Sequence, residues 1–124
     1  MLFLRQKRRN PLSKKIMMIR RYEIYNAEQF SMSGCNTRKK HPVVIVSHDV
    51  LNKYLRTVVV CPLTSAIPSH KWKSRLLIKC NNQHAEIAVD KIRTISKKLL
   101  KNKIDTLPKS KAEQLGQLIT DMFG

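Results

Sequence analysis

Two continuous apolar, β-branched runs limit how this chain can fold more than any other feature. They are Pro42-Val43-Val44-Ile45-Val46 and Thr57-Val58-Val59-Val60-Cys61-Pro62-Leu63. Neither alternates apolar with polar residues, as a strand with one wet face would. Each therefore reads as a strand buried on both faces, with Pro42 at the first position of its strand, where a missing N–H is tolerated. Shorter strand signals surround them. Arg21-Tyr22-Glu23-Ile24-Tyr25 reads as a strand, and so do residues 74–79, followed by a turn at Asn81-Asn82. Residues 86–90 and 92–95 form two further short strands or one bent strand, and residues 96–100 a helical turn. Residues 47–55 read as a polar connection.

The chain closes on a helix. Ser110-Lys111-Ala112-Glu113 matches a capping box after Pro108, and Ala112, Leu115, Leu118, Ile119 and Met122 then share one helical face. Gly116 weakens that helix by up to about 1 kcal/mol relative to Ala. Many short strands followed by one amphipathic helix predict a mostly β (α+β) fold: a small, partly open β-barrel with a helix packed on it.

The 124 residues suit one domain with one core, and 42% hydrophobic content is enough to build it. No apolar run approaches the roughly 18 residues of a transmembrane helix. Charge narrows the partners. There are 25 Lys and Arg against 8 Asp and Glu, a net charge of +17, which points to a polyanion, most simply nucleic acid. Eight of those cations and no acid fall in residues 1–21. Residues 1–16 read as a basic extension, disordered or dispensable, with Met17 and Met18 as alternative starts. Residues 17–124 are read as the folded domain. Three scattered cysteines (Cys35, Cys61, Cys80) without a CxxC fit a reducing, cytoplasmic setting, and no metal site or cofactor is expected.

The chemistry is expected in two basic loops, residues 28–41 and 66–73, and at Thr64-Ser65, where the second long run ends. The chain has no P-loop, no GxSxG and no HExxH, and three glycines cannot make a glycine-rich phosphate cradle. Eight acids spread singly along the chain do not suggest a two-metal nuclease. RNA offers a route without metal, because its 2′-OH can attack the adjacent phosphate. The protein must then accept one proton, donate another and stabilise charge on phosphorus.

Five segments resemble the MazF/PemK (Kid) family of toxins from bacterial toxin–antitoxin pairs. Arg20-Arg21-Tyr22-Glu23-Ile24-Tyr25 is similar to the family's opening R-R-G-E-I-Y, and His41-Pro42-Val43-Val44-Ile45-Val46-Ser47-His48-Asp49 to R-P-V-V-I-V-S-x-D. Leu51-Asn52-Lys53 sits where the family often has Phe-Asn-Arg. Residues 56–65 match R-T-V-V-V-C-P-L-T-S, and Asp90-Lys91-Ile92-Arg93-Thr94-Ile95 is similar to D-Q-I-R-T-I. The resemblance covers about residues 17–124.

The resemblance implies an SH3-like barrel of the CcdB/PemK type with a C-terminal helix, acting as a homodimer. The implied activity is a metal-independent, sequence-specific endoribonuclease (an mRNA interferase) that cuts single-stranded RNA to a 2′,3′-cyclic phosphate and a 5′-OH. An acidic, partly disordered antitoxin is the implied competitor for the RNA groove. Residue by residue, Thr64 matches the family's catalytic Thr, and Asp90 an Asp implicated in some members. Asp90 either orients a base or accepts hydrogen bonds from Arg93.

His41 stands where the family has its catalytic Arg before Pro. It can still act as general acid or base but lacks Arg's permanent charge and bidentate fork. The family's loop Glu is Asn36, and its opening Gly is Tyr22. Arg38, Lys39, Lys40, Ser65, Lys71, Trp72 and Lys73 are the candidate RNA-binding residues. Trp72 either stacks on an unpaired base or packs at the barrel rim or dimer interface. Two other readings stand beside this one. One is a nuclease-dead basic module that binds nucleic acid or antitoxin. The other is a CcdB-type gyrase poison, which relies on a Trp near the chain end, whereas this chain ends Asp121-Met122-Phe123-Gly124.

Overall fold

A computed structural model describes residues 18–29, 39–65 and 74–124. Seven strands and two helices follow one another: β1 (Glu23–Gln29), β2 (Lys39–Ile45), α1 (Asp49–Tyr54), β3 (Thr57–Ser65), β4 (Arg75–Cys80), β5 (Gln83–Ala88), β6 (Arg93–Ser96), β7 (Leu100–Thr106) and α2 (Lys109–Phe123). The sheet runs β4-β5-β3-β2-β1-β7, with β6 also on β3. Every strand pair is antiparallel.

The two long apolar runs form the middle of this sheet and are buried on both faces, as their lack of alternation predicts. Side-chain alternation divides them between two cores. Val44, Val46, Cys61 and Leu63 join Ile24, Ile87, Val89 and, from α2, Ala112 and Leu115. Val43, Ile45, Val58 and Val60 point the other way and pack with Ile19, Tyr25, Ala27, Ile95 and Leu100. The first cluster is the interface between sheet and α2, and the partly buried Leu118 and Ile119 extend it.

Both prolines of the central strands sit where the ladder stops. Val46 N–H donates to Val59 O at 2.9 Å. The alternation of an antiparallel ladder then makes Val44–Cys61 the next bonded pair and puts Pro42 in the one after. Pro42 has no N–H to give, and the β2–β3 pairing ends at Val43–Pro62. On the opposite edge of β3, β6 pairs as far as Val60 and β5 takes over at Leu63. Pro62 falls in the gap between them.

Several local expectations change. β2 begins at Lys39, so Pro42 is its fourth residue rather than its first, and Lys40 and His41 stand on a strand instead of in a loop. Residues 47–55 contain a short helix, α1, whose first turn is capped by His48 Nδ1 accepting from Val50 N–H at 3.1 Å. Residues 100–106, not read as a strand from sequence, form β7 on the outer edge of β1. Ser110 does not cap α2: the helix starts at Lys109 with Pro108 as N-cap and no side-chain cap bond. Two short strands, separated by a single 3-10 turn at Val89–Lys91, occupy the region of residues 83–96.

Candidate active site

Beyond Val43–Pro62, β2 and β3 part. β3 continues through Leu63, Thr64 and Ser65 paired only on its other side, with β5. The parting opens a cleft of about 550 Å³ lined by Asn26, His41, Pro42, Leu63, Thr64, Ser65, Cys80, Asn81, Gln83, His84, Ala85 and Ile104. Thr64 and His41, far apart in sequence, thus line one cavity. Ser65 lines it as well. Pro42, with no N–H to give, marks where the β2–β3 ladder stops and the cleft begins.

The far wall is the β4–β5 hairpin. Its two-residue turn, Asn81-Asn82, has both residues at positive φ (54° and 65°), the backbone of a type I′ turn. Asn tolerates that conformation better than most residues. Asn81 N–H donates to Asp105 Oδ2 of β7 at 3.1 Å, tying the tip to the far edge of the sheet. The hairpin carries Asn81, Gln83 and His84 into the cleft wall. Sequence reading passes over these three, since a lone His after a turn carries no motif. The only available signal is the Asn-Asn turn itself, which fixes where the next residues land.

Among the described lining residues of the cleft there is no Lys, Arg, Asp or Glu, and its two histidines are His41 and His84. The Cys80 thiol is held above its ordinary value by burial and then by Asp105, so it stays protonated and is a poor nucleophile. Cys61, at the centre of β3, is pushed up to about 12 by burial and then by the negative Asp90.

Asp90 lies elsewhere. Its carboxylate accepts from Arg75 Nε at 2.8 Å and from Arg75 Nη2 at 3.4 Å, and the same guanidinium lies 4.0 Å from Glu86. The partner is Arg75 of β4, not the expected Arg93. Asp90 is not among the residues lining the cleft, but the cluster it belongs to reaches towards Thr64. Glu86, a buried carboxylate, pairs directly with Thr64 across β3 and β5, so the two side chains share a face. Hydrogen bonding from Arg75 holds the Asp90 carboxyl below the usual carboxylate range.

Lys40 is exposed on β2, opposite Glu28. Lys39 is placed by its backbone as the first residue of β2. Arg38, Lys71, Trp72, Lys73 and the extension 1–16 lie outside the described residues. Among the described residues no group of three or more His, Cys, Asp or Glu could hold a metal ion, and no helix is long and apolar enough to cross a membrane.

A small, partly open β-barrel with one packed helix, and a polar cleft at the end of its central strand whose described lining carries no Lys, Arg, Asp or Glu, defines a mostly β protein that exposes one strand end. Residues 20–123 match the family model described as PemK-like, MazF-like toxin of type II toxin-antitoxin system. The chain is 35% identical over 111 residues to the Endoribonuclease MazF of Staphylococcus epidermidis, covering 86% of this chain and 92% of that protein. The MazE-MazF crystal structure (Form-II) from Deinococcus radiodurans shares the fold at a TM-score of 0.73 and 11% identity, covering 86% of this chain and 96% of that one. An endoribonuclease in complex with its cognate antitoxin from Mycobacterial species does so at 0.68 and 15%, covering 83% and 92%. The chain belongs to the PemK/MazF toxin family of type II toxin–antitoxin systems.

Proposed function

We propose that this protein is the toxin of a type II pair and that its cleft cuts single-stranded RNA. The 2′-OH attacks its own phosphate, leaving a 2′,3′-cyclic phosphate and a 5′-OH. The observation that carries the reading is the meeting of Thr64 and His41 in one cleft, opened where Pro42 ends the ladder. The Thr64 hydroxyl donates to a phosphate oxygen, where charge grows in the transition state. Ser65, the next residue of β3, also lines the cleft. His41 moves a proton. The described cleft lining contains no carboxylate to hold the paired metals of a two-metal nuclease. Asp90 is a positioning residue: it fixes Arg75, which lies against the Glu86 that faces Thr64. Lys39 and Lys40 on β2, with Arg38, Lys71, Trp72 and Lys73, are the RNA-holding residues of this reading.

An acidic antitoxin segment is the natural competitor for a surface this basic, and the mycobacterial relative's structure holds its cognate antitoxin. A second copy of the chain is the proposed partner in a homodimer. The exposed apolar side chains of α1 (Val50, Leu51, Tyr54) and the following Leu55 support such a contact. A cytoplasmic location fits a toxin that acts on messenger RNA.

Thr64→Ala tests the assignment. Removal of one donor to the developing charge should slow cleavage by about a hundredfold or more while the fold is kept. Cleavage at the parent rate would remove Thr64 from the site.

A further inference from the structure

Among the described residues, the cleft holds two histidines and no permanently charged side chain. His41 rises from β2, opposite Ala27 of β1. His84 rises from β5, two residues past the Asn81-Asn82 turn and opposite Lys79 of β4. Both are exposed, and Thr64 and Ser65 line the same cavity on the β3 strand that separates β2 from β5. We propose that His84 is the second acid–base residue of the reaction, paired with His41 across the Thr64 cleft. This deepens the ribonuclease reading and rests on it.

The chemistry requires two proton transfers on opposite sides of one phosphorus. A neutral imidazole takes the proton of the 2′-OH as the 2′-oxygen bonds to phosphorus. The other imidazole, protonated, gives its proton to the 5′-oxygen as the P–O5′ bond breaks. Proton exchange with water then restores both rings. One neutral and one cationic histidine supply both transfers, and the cation also supplies positive charge that the lining otherwise lacks. A single histidine cannot hold both states at once. Thr64 has no such proton to give near neutral pH, and the Cys80 thiol stays protonated.

Several charged or titratable groups surround the pair. Lys79 faces His84 across the β4–β5 ladder, and Glu86 lies two residues along β5 on the same face. Cys80 lies on the same wall, Lys40 is next to His41 on β2, and Asp105 of β7 holds the hairpin tip through Asn81.

The experiment is the pH dependence of cleavage of an RNA substrate by the full chain, its His84→Gln and His41→Gln variants, and His84→Ala with added imidazole. The parent rate should follow a bell with two limbs near neutrality. His84→Gln should lose one limb, slow cleavage by roughly 10²–10⁴-fold and keep its RNA affinity. Imidazole should restore part of the rate to His84→Ala, which a purely structural role for His84 would not allow. A parent that cuts RNA, beside a His84→Gln variant with the parent's rate and the parent's bell, overturns the pairing and leaves the ribonuclease reading intact. A well-folded parent that cuts no RNA at any pH overturns both.

Discussion

Tyr22 holds a left-handed backbone at φ 73°, where glycine is at ease and a tyrosine is strained by about 1 kcal/mol or more. The ring packs onto the α2 side of the core, and its hydroxyl lies 3.1 Å from where a Cβ on Gly116 would stand. Gly116 is thus the space Tyr22 occupies, not merely a weak point of the helix. Gly116→Ala should stabilise the Tyr22→Phe protein by up to about 1 kcal/mol, and the parent by less, in chemical denaturation. Equal gains in both backgrounds would separate the two residues. Asp90 gives a pH prediction. Arg75 depresses its folded carboxyl below the reference value of 3.8, so its contribution to stability is present above that value and fades as pH falls through the folded one. Asp90→Asn should destabilise the protein at pH 7 and cost much less at pH 2; an equal cost at both would mean the ion pair is not the cause. Sequence could name Asp90 but not Arg75, because their meeting depends on the β4–β5 hairpin and the turn after it. His84 was illegible for the same reason.

The central strands were legible because burial on both faces leaves an unbroken apolar run, and nothing else in the chain looks like residues 42–46 or 57–63. β7 was not. Its sequence, Leu-Lys-Asn-Lys-Ile-Asp-Thr, is that of a sheet edge, where ion pairs such as Lys103 with Glu23 (2.8 Å) and Lys101 with Glu28 (2.7 Å) replace apolar contact. α1 escaped notice because six residues are too few to show a period. Its anchor is Asn52, wholly buried, which donates to Ser47 O at 2.8 Å and accepts from Ser47 Oγ, while Lys97 Nζ donates to its carbonyl. Ser47 Oγ accepts in turn from Val59 N–H at 3.1 Å, so one polar knot joins α1 to β3. Asn52→Ala should cost about 2–3 kcal/mol in unfolding free energy, since it strands buried polar partners. Pro42 sets the cleft at this scale. In Pro42→Val the new amide at position 42 should be protected from exchange and cleavage should fall by roughly tenfold or more, as β2 zips further along β3. A new amide that exchanges like an open one, with unchanged cleavage, would show that the proline does not hold the strands apart.

At the scale of the molecule, the sequence separated charge from chemistry only in part. The +17 is real, but the described cleft lining carries none of it as Lys or Arg. For a chain this basic, RNA affinity should fall steeply with salt while the rate on bound RNA changes little. The apolar side chains on α1 belong to the same scale. Tyr54→Lys should shift the proposed dimer towards monomer in light scattering at matched concentration, and an undisturbed dimer would place the interface elsewhere. The charge count could not say which cations stand in the cleft, whereas the placement of β2, β3 and β5 leaves its described lining without Lys or Arg. The most direct test concerns the bond that breaks. RNA incubated with the protein in excess EDTA should be cut to 2′,3′-cyclic phosphate and 5′-OH ends, and the same RNA with a 2′-deoxy sugar before the cut should stay whole. Cleavage of the deoxy substrate, or cleavage that stops in EDTA, would contradict attack by the RNA's own hydroxyl in the Thr64 cleft.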